Sequence, residues 1–138
     1  MKEEKVGLEV AQAEFERFCD EMALDFNVDT MREEDRLAFS KNRDRLVRAI
    51  QYGHLVIGDD GEPTYTPWRN KSTYKDPITF HERTGATLLA TDLKKKGNDA
   101  AKTYAMLGDL TKLPASTFTK LAGEDIKVCE ALMQLLMD

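Results

Sequence analysis

The sequence has 138 residues, close to one unit on a scale of roughly 150 residues per domain, which leaves too little chain for two folds with separate cores. Leu, Ile, Val and Phe together make up about 22% of it, just above the roughly 20% below which high charge predicts disorder, and charged residues reach 33%. A formal charge of −5 argues against the broad basic footprint of a dedicated nucleic-acid binder.

The charge is unevenly spread. Residues 1–35 carry 4 basic and 12 acidic side chains, whereas residues 36–138 carry 16 basic and 13 acidic, so an acidic arm precedes a nearly balanced body. No apolar run approaches the roughly 18 residues of a membrane span, and no signal-like stretch follows Met1-Lys2-Glu3-Glu4-Lys5. The expectation is a cytoplasmic protein with no membrane partner. Cys19 and Cys129 stand far apart and fit no metal or redox spacing, which predicts reduced core thiols.

Leu8, Ala11, Phe15, Phe18 and Met22 recur in steps of three and four and gather on one stripe of a helix predicted from about Gly7 to Phe26. Glu9, Glu14, Glu16, Asp20 and Glu21 occupy the opposite face. After Asn27-Val28-Asp29, the pair Thr30 and Glu33 has the form of a capping box opening a second helix. Gly53 supplies its left-handed stop. The two helices read as a hairpin, its stripe packing on the second helix; a self-association interface is the alternative.

The period changes at His54-Leu55-Val56-Ile57. Asp60-Gly61 predicts a tight hairpin turn before a strand at Thr64-Tyr65-Thr66. A polar loop follows at residues 67–72, and a third strand at Ile78-Thr79-Phe80. Thr84 can cap a helix from Ala86 to about Lys95, closed by Gly97, and Asn98 or Asp99 can start the next through Leu110. Pro114 begins a short turn of helix. A last helix runs from about Glu124, with nine apolar residues among the twelve from Ile126 to Met137, more than a one-sided stripe holds. The fold class is α+β and mostly helical. An amino-terminal helical hairpin arm (residues 1–53) precedes a body (residues 54–138) with a small antiparallel sheet of two or three strands and carboxy-terminal helices, arm and body forming one compact unit.

Catalytic and cofactor signatures are missing. Asp59-Asp60-Gly61-Glu62 has adjacent carboxylates where a calcium loop needs alternating ones across about twelve residues, so turn chemistry explains it. His54 and His81 each lack a second ligand at metal spacing. No nucleophile elbow or phosphate-cradling glycine motif occurs, which predicts a non-enzyme without cofactor or metal. Lys94-Lys95-Lys96 fits a helix C-terminus complementing the dipole. Trp68, beside Arg69 and Lys71, is one anchor for a base or a protein partner, with partial core burial the alternative.

From Ile78 onward the order of residues is recognisable: Ile78-Thr79-Phe80-His81-Glu82-Arg83-Thr84-Gly85, then Leu88-Leu89-Ala90, then Tyr104-Ala105-Met106-Leu107-Gly108-Asp109-Leu110-Thr111-Lys112-Leu113-Pro114, and finally Leu121 and Asp125 before an apolar helix. From about residue 54 to residue 138 this resembles the tail assembly chaperones of long-tailed bacteriophages, with Lys112 where that pattern has Gly. The resemblance implies a phage or prophage protein with a non-catalytic role. Such a protein binds the helical tape measure protein, assists assembly of the tail tube protein around it in the host bacterial cytoplasm, and is absent from the mature virion. Two other classes stay open. One is a virion structural neck or tail-completion protein. The other is a small nucleic-acid-binding regulator using Arg36, Lys41, Arg43, Arg45 and Arg48, residues interleaved with Asp35 and Asp44 in the manner of a solvated, ion-paired face.

Helix-in-groove contact would cover apolar faces of unassembled partners. In the last helix Ile126, Cys129, Met133 and Leu136 form one stripe and Val128, Leu132 and Leu135 a neighbouring one. Methionines suit adaptable contacts. Candidate partner-binding residues are therefore Trp68, Val128, Leu132, Met133, Leu135 and Met137, with self-association a further use of the same surface and full burial within the monomer the alternative.

Overall fold

The structure, a computed structural model, describes residues 4–24, 28–85 and 99–137. The helix expected from Ala86 to Lys95, its stop at Gly97 and the Lys94-Lys95-Lys96 run lie outside the described residues.

The hydrophobic stripe of the first segment forms helix α1 (Leu8–Glu21), which buries Ala11, Phe15 and Phe18, whereas Leu8, expected on the same stripe, is 51% exposed. It ends several residues before Phe26. Met22 caps it, Ala23 turns left-handed at φ 57°, and the Ala23 and Leu24 N–H groups donate to the carbonyls of Asp20 and Cys19. That is the bond pattern of a glycine-type helix stop, executed by alanine.

Helix α2 (Glu33–Gln51) starts without the expected capping box: Arg32 is its N-cap and no side chain caps it. Thr30 is held instead in a short 3-10 turn, Val28–Thr30. The Arg36 side chain reaches back to donate to the carbonyls of Val28 (3.0 Å) and Met31 (3.1 Å), fixing the entry in place of a threonine hydroxyl, while Glu33, Glu34 and Asp35 in the first turn complement the helix dipole. The far end closes as expected. Gly53 stands at φ 79°, and the Gly53 and His54 N–H groups donate to the carbonyls of Ile50 and Ala49, satisfying the last carbonyls of the helix.

Strands β1 (Leu55–Ile57), β2 (Pro63–Tyr65) and β3 (Ile78–Thr79) form an antiparallel sheet in the order β1-β2-β3. Leu55 pairs with Tyr65 and Ile57 with Pro63, so Leu55, Ile57, Tyr65 and Ile78 share the buried face while Val56 points out. The expected tight turn forms as a three-residue loop. Gly58 N–H donates to the Glu62 carbonyl and Gly61 N–H to the Gly58 carbonyl, with the Asp60 carboxylate accepting from Glu62 N–H at 2.9 Å. Gly61, at φ 87°, closes this three-residue loop in the way a turn followed by a left-handed residue does. A side chain there would also strike α1, since an added Cβ would collide with the Cβ of Glu21.

Helix α3 (Asp99–Thr111), a 3-10 segment (Ala115–Lys120) opened by Pro114, and helix α4 (Glu124–Met137) complete the described chain. Lys112 takes up the left-handed position after α3 at φ 63°. Helix α2 packs between α1 and α4, and α3 packs on α4. Phe15 and Phe18 of α1, Leu46 and Ile50 of α2, Tyr65 and Ile78 of the sheet, Leu107 and Leu110 of α3 and Leu132 of α4 belong to one buried cluster.

Candidate functional site

Helix α4 organises the site. Its first turn carries Asp125, fully buried, whose carboxylate accepts from the Tyr65 hydroxyl (2.7 Å), the Ser72 hydroxyl (2.7 Å) and the backbone N–H groups of Trp68 (3.1 Å) and Arg69 (2.9 Å). The Ser72 oxygen in turn accepts from Ala122 N–H at 2.9 Å. A buried carboxylate needs such a set of donors to offset its lost hydration. Here the donors come from β2 and from the loop carrying Trp68, so one side chain pins that loop to α4. Burial, followed by the hydrogen bond to Asp125, raises the Tyr65 phenol well above its ordinary range, and it stays a protonated donor.

The six candidate contact residues fall into three settings. Val128, Leu132 and Leu135 lie inside the monomer at 1%, 0% and 2% exposure; with α4 in place they present almost no surface to a partner, and Leu135 reaches only the floor of the groove between α2 and α4. The second apolar stripe exists because α4 is covered from two sides, by α2 and by α3. Met133, at 7% exposure, and the half-buried Met137 stand at the rim of a groove of about 510 Å³. One wall of that groove is Met31, Asp35, Ala38, Phe39 and Asn42; the other is Met133, Gln134, Leu135 and Met137. Asn42 donates to the side-chain carbonyl of Gln134 at 2.9 Å and ties the walls together. Phe39 also lines a second groove, of about 580 Å³, between α1 and α2 with Phe15, Cys19 and Leu24, and its ring lies 6.5 Å from that of Phe15.

Trp68 stands elsewhere, half-buried in its loop, stacked on His54 at 4.9 Å and 10° between planes, with the Arg69 guanidinium 5.1 Å from its centroid. It shares no groove with Met133 and Met137. Periodicity could not find the Met31 and Phe39 wall, because Met31 lies outside any helix and Phe39 stands among charged residues; α2 joins them only by crossing α4.

The remaining candidates have local roles. His81 Nδ1 lies 2.8 Å from a Glu62 carboxylate oxygen. Cys129 is buried and Cys19 half-buried, and both are free thiols. Desolvation, reinforced by Asp20 and Glu16, pushes the Cys19 thiol up to about 12; burial also raises Cys129. Among the described residues no group of three or more His, Cys, Asp or Glu can hold a metal ion, and no helix is long and apolar enough to cross a membrane. Of the basic residues of α2, Arg36 is committed to the helix entry and Arg45 to Glu124 at 2.9 Å. Comparison with protein families, with characterised proteins and with solved structures returns no match.

Proposed function

We propose that this protein is a phage or prophage tail assembly chaperone. It is non-catalytic, acts in the host bacterial cytoplasm, binds the tape measure protein, assists assembly of the tail tube protein, and is absent from the mature particle. The observation that carries this reading is the groove between α2 and α4, in which Met31, Met133 and Met137 surround Phe39. Flexible, polarizable thioethers around one aromatic ring are suited to apolar helix faces of varied sequence, and a groove between two helices receives an amphipathic helix through anchors spaced by three and four residues. Covering such a face before the tail forms removes an aggregation hazard. The order of short motifs from Ile78 to Asp125 supports the same assignment.

Co-expression with a tape measure protein from the same phage or prophage genome tests the proposal. The expected result is a soluble complex that Ala38→Glu and Met137→Lys, both at the groove's accessible rim, abolish without changing the circular dichroism of the free protein. A complex indifferent to both substitutions, or no complex, refutes it, as does recovery of the protein in purified virions, which would make it a structural part of the neck or tail.

A further inference from the structure

A second concavity, of about 410 Å³, lies on a different part of the molecule and is lined by Arg45, Arg48, Ala49, Tyr52, His54, Tyr65, Trp68, Arg69, Glu124 and Val128. We propose that it is a binding site for a small aromatic anion, a planar ring carrying a phosphate or a carboxylate. Three observations point there.

The first is charge. In a protein of net charge −5, this concavity gathers three arginines against a single carboxylate, that of Glu124. The carboxylate is already engaged, since Arg45 donates to it at 2.9 Å. The Arg48 side chain makes no hydrogen bond or ion pair among the described residues, and among them the Arg69 guanidinium is matched by the Trp68 ring. Two exposed guanidiniums at one concavity without a carboxylate of their own offer their planar donor forks to an anion.

The second is the wall. His54 and Trp68 stack 4.9 Å apart and almost parallel, and Tyr52 and Tyr65 line the same space. Tyr52, His54 and Trp68 make an aromatic wall over a floor of the buried Tyr65, Ala49 and Val128, and the volume falls within the roughly 300–1,000 Å³ of small-molecule sites. A bare inorganic anion would leave that lining unused.

The third is preorganisation. Asp125 accepts from the Trp68 and Arg69 N–H groups and from Tyr65, so one buried carboxylate fixes three of the lining residues before any ligand arrives. Arg69 is further held by its position over Trp68. The loop backbone is therefore ordered before binding, and the ordering cost falls on the exposed Arg48 and Arg69 side chains.

Trp68 is the single tryptophan of the chain, so its fluorescence reads the site directly. Titrating the full chain with adenosine 5′-monophosphate and, separately, with 4-hydroxybenzoate presents the same ring-plus-anion chemistry with a phosphate and with a carboxylate. A saturable change with at least one of them, weakened about tenfold in Arg48→Gln and in Arg69→Gln, is expected, and the arm that responds identifies the anion. Arg48→Gln is the decisive variant, because Arg48 is exposed and supports no other described side chain. Adenosine alone and inorganic phosphate alone should each bind at least tenfold more weakly. No saturable response in either arm, an equal response to inorganic phosphate or to adenosine, or affinity unchanged in Arg48→Gln overturns the proposal.

Discussion

Replacing Asp125 with Asn is the most informative perturbation of this fold, because it keeps the shape of the side chain and removes its charge. The carboxylate accepts from two hydroxyls and two backbone N–H groups within 2.7 to 3.1 Å, and hydrogen bonds to a charged acceptor contribute about 1.5–3 kcal/mol each. An amide retains one oxygen, which can serve two of these donors, and turns an NH₂ group toward the others. About two bonds are therefore lost, a cost of about 3–6 kcal/mol, against a total stability of about 5–15 kcal/mol for an ordinary domain. Tyr65→Phe removes one donor and leaves the carboxylate with three, so its cost should be nearer 1.5–3 kcal/mol. Urea unfolding followed by circular dichroism measures both, and the emission maximum of Trp68 reports separately whether its loop has been released. If Asp125→Asn changes stability by less than about 1 kcal/mol, or costs no more than Tyr65→Phe, the carboxylate is not the latch described.

Four further outcomes follow from named contacts. Leu135→Glu places a charge at a position 2% exposed and should destabilise the monomer by more than about 3 kcal/mol, read as loss of cooperative thermal unfolding. Gly61→Ala should cost about 1–3 kcal/mol, because φ 87° strains any other residue and its Cβ would meet Glu21; chemical denaturation measures it. Lys112→Gly, at φ 63°, should stabilise by about 0.5–1 kcal/mol, the left-handed penalty of about 1–2 kcal/mol less the greater entropy of an unfolded glycine, seen as a raised melting temperature. Arg17→Met removes donors to the carbonyls of Ile57 and Gly58 and the partner of Glu14, whose hydrogen bond from Arg17 lowers the Glu14 carboxyl below its ordinary 4.5. A lowered folded value gives stability that is present above pH 4.5 and lost as pH falls from there through the lower folded value, so the gap between wild type and variant should narrow in acid. A gap constant from pH 7 to pH 3 contradicts that account.

The helices and strands were legible to the extent that their determinants are local. A stripe at steps of three and four buried Ala11, Phe15, Phe18 and Met22 as expected, though Leu8 at its head stays exposed, and Gly53 ended α2 by the bonds such a residue makes possible. Expectation failed where a distant or longer side chain displaced a local device. Thr30 and Glu33 have the spacing of a capping box, but the Arg36 guanidinium binds the carbonyls of Val28 and Met31 and a 3-10 turn forms instead. The tight turn expected at Asp60-Gly61 does form, with Gly61 at positive φ, as a three-residue loop closed by backbone bonds between Gly58 and Glu62 and between Gly61 and Gly58. Left-handed positions were visible only where glycine marked them: Ala23 and Lys112 adopt the same conformation without that signal.

The site was less legible, for a reason of topology. An excess of apolar residues on α4 has two physical solutions, an exposed second stripe or a helix covered from two sides, and the count of apolar residues is the same for both. Coverage by α2 and α3 decides it, and that follows from the crossing of elements far apart in the chain. Asp125 shows the same dependence. In the sequence it stands only as a motif residue before an apolar helix, but its donors lie 53 to 60 residues earlier. Folding brings them together and turns the acid into the anchor of the Trp68 loop. The same crossing leaves Met133 and Met137 at the rim against Met31 and Phe39, so the burial of Val128 and Leu132 and the accessibility of the methionine groove are two consequences of one packing arrangement. A substitution that loosens α2 from α4 should therefore weaken stability and groove binding together, whereas one confined to the rim should separate them.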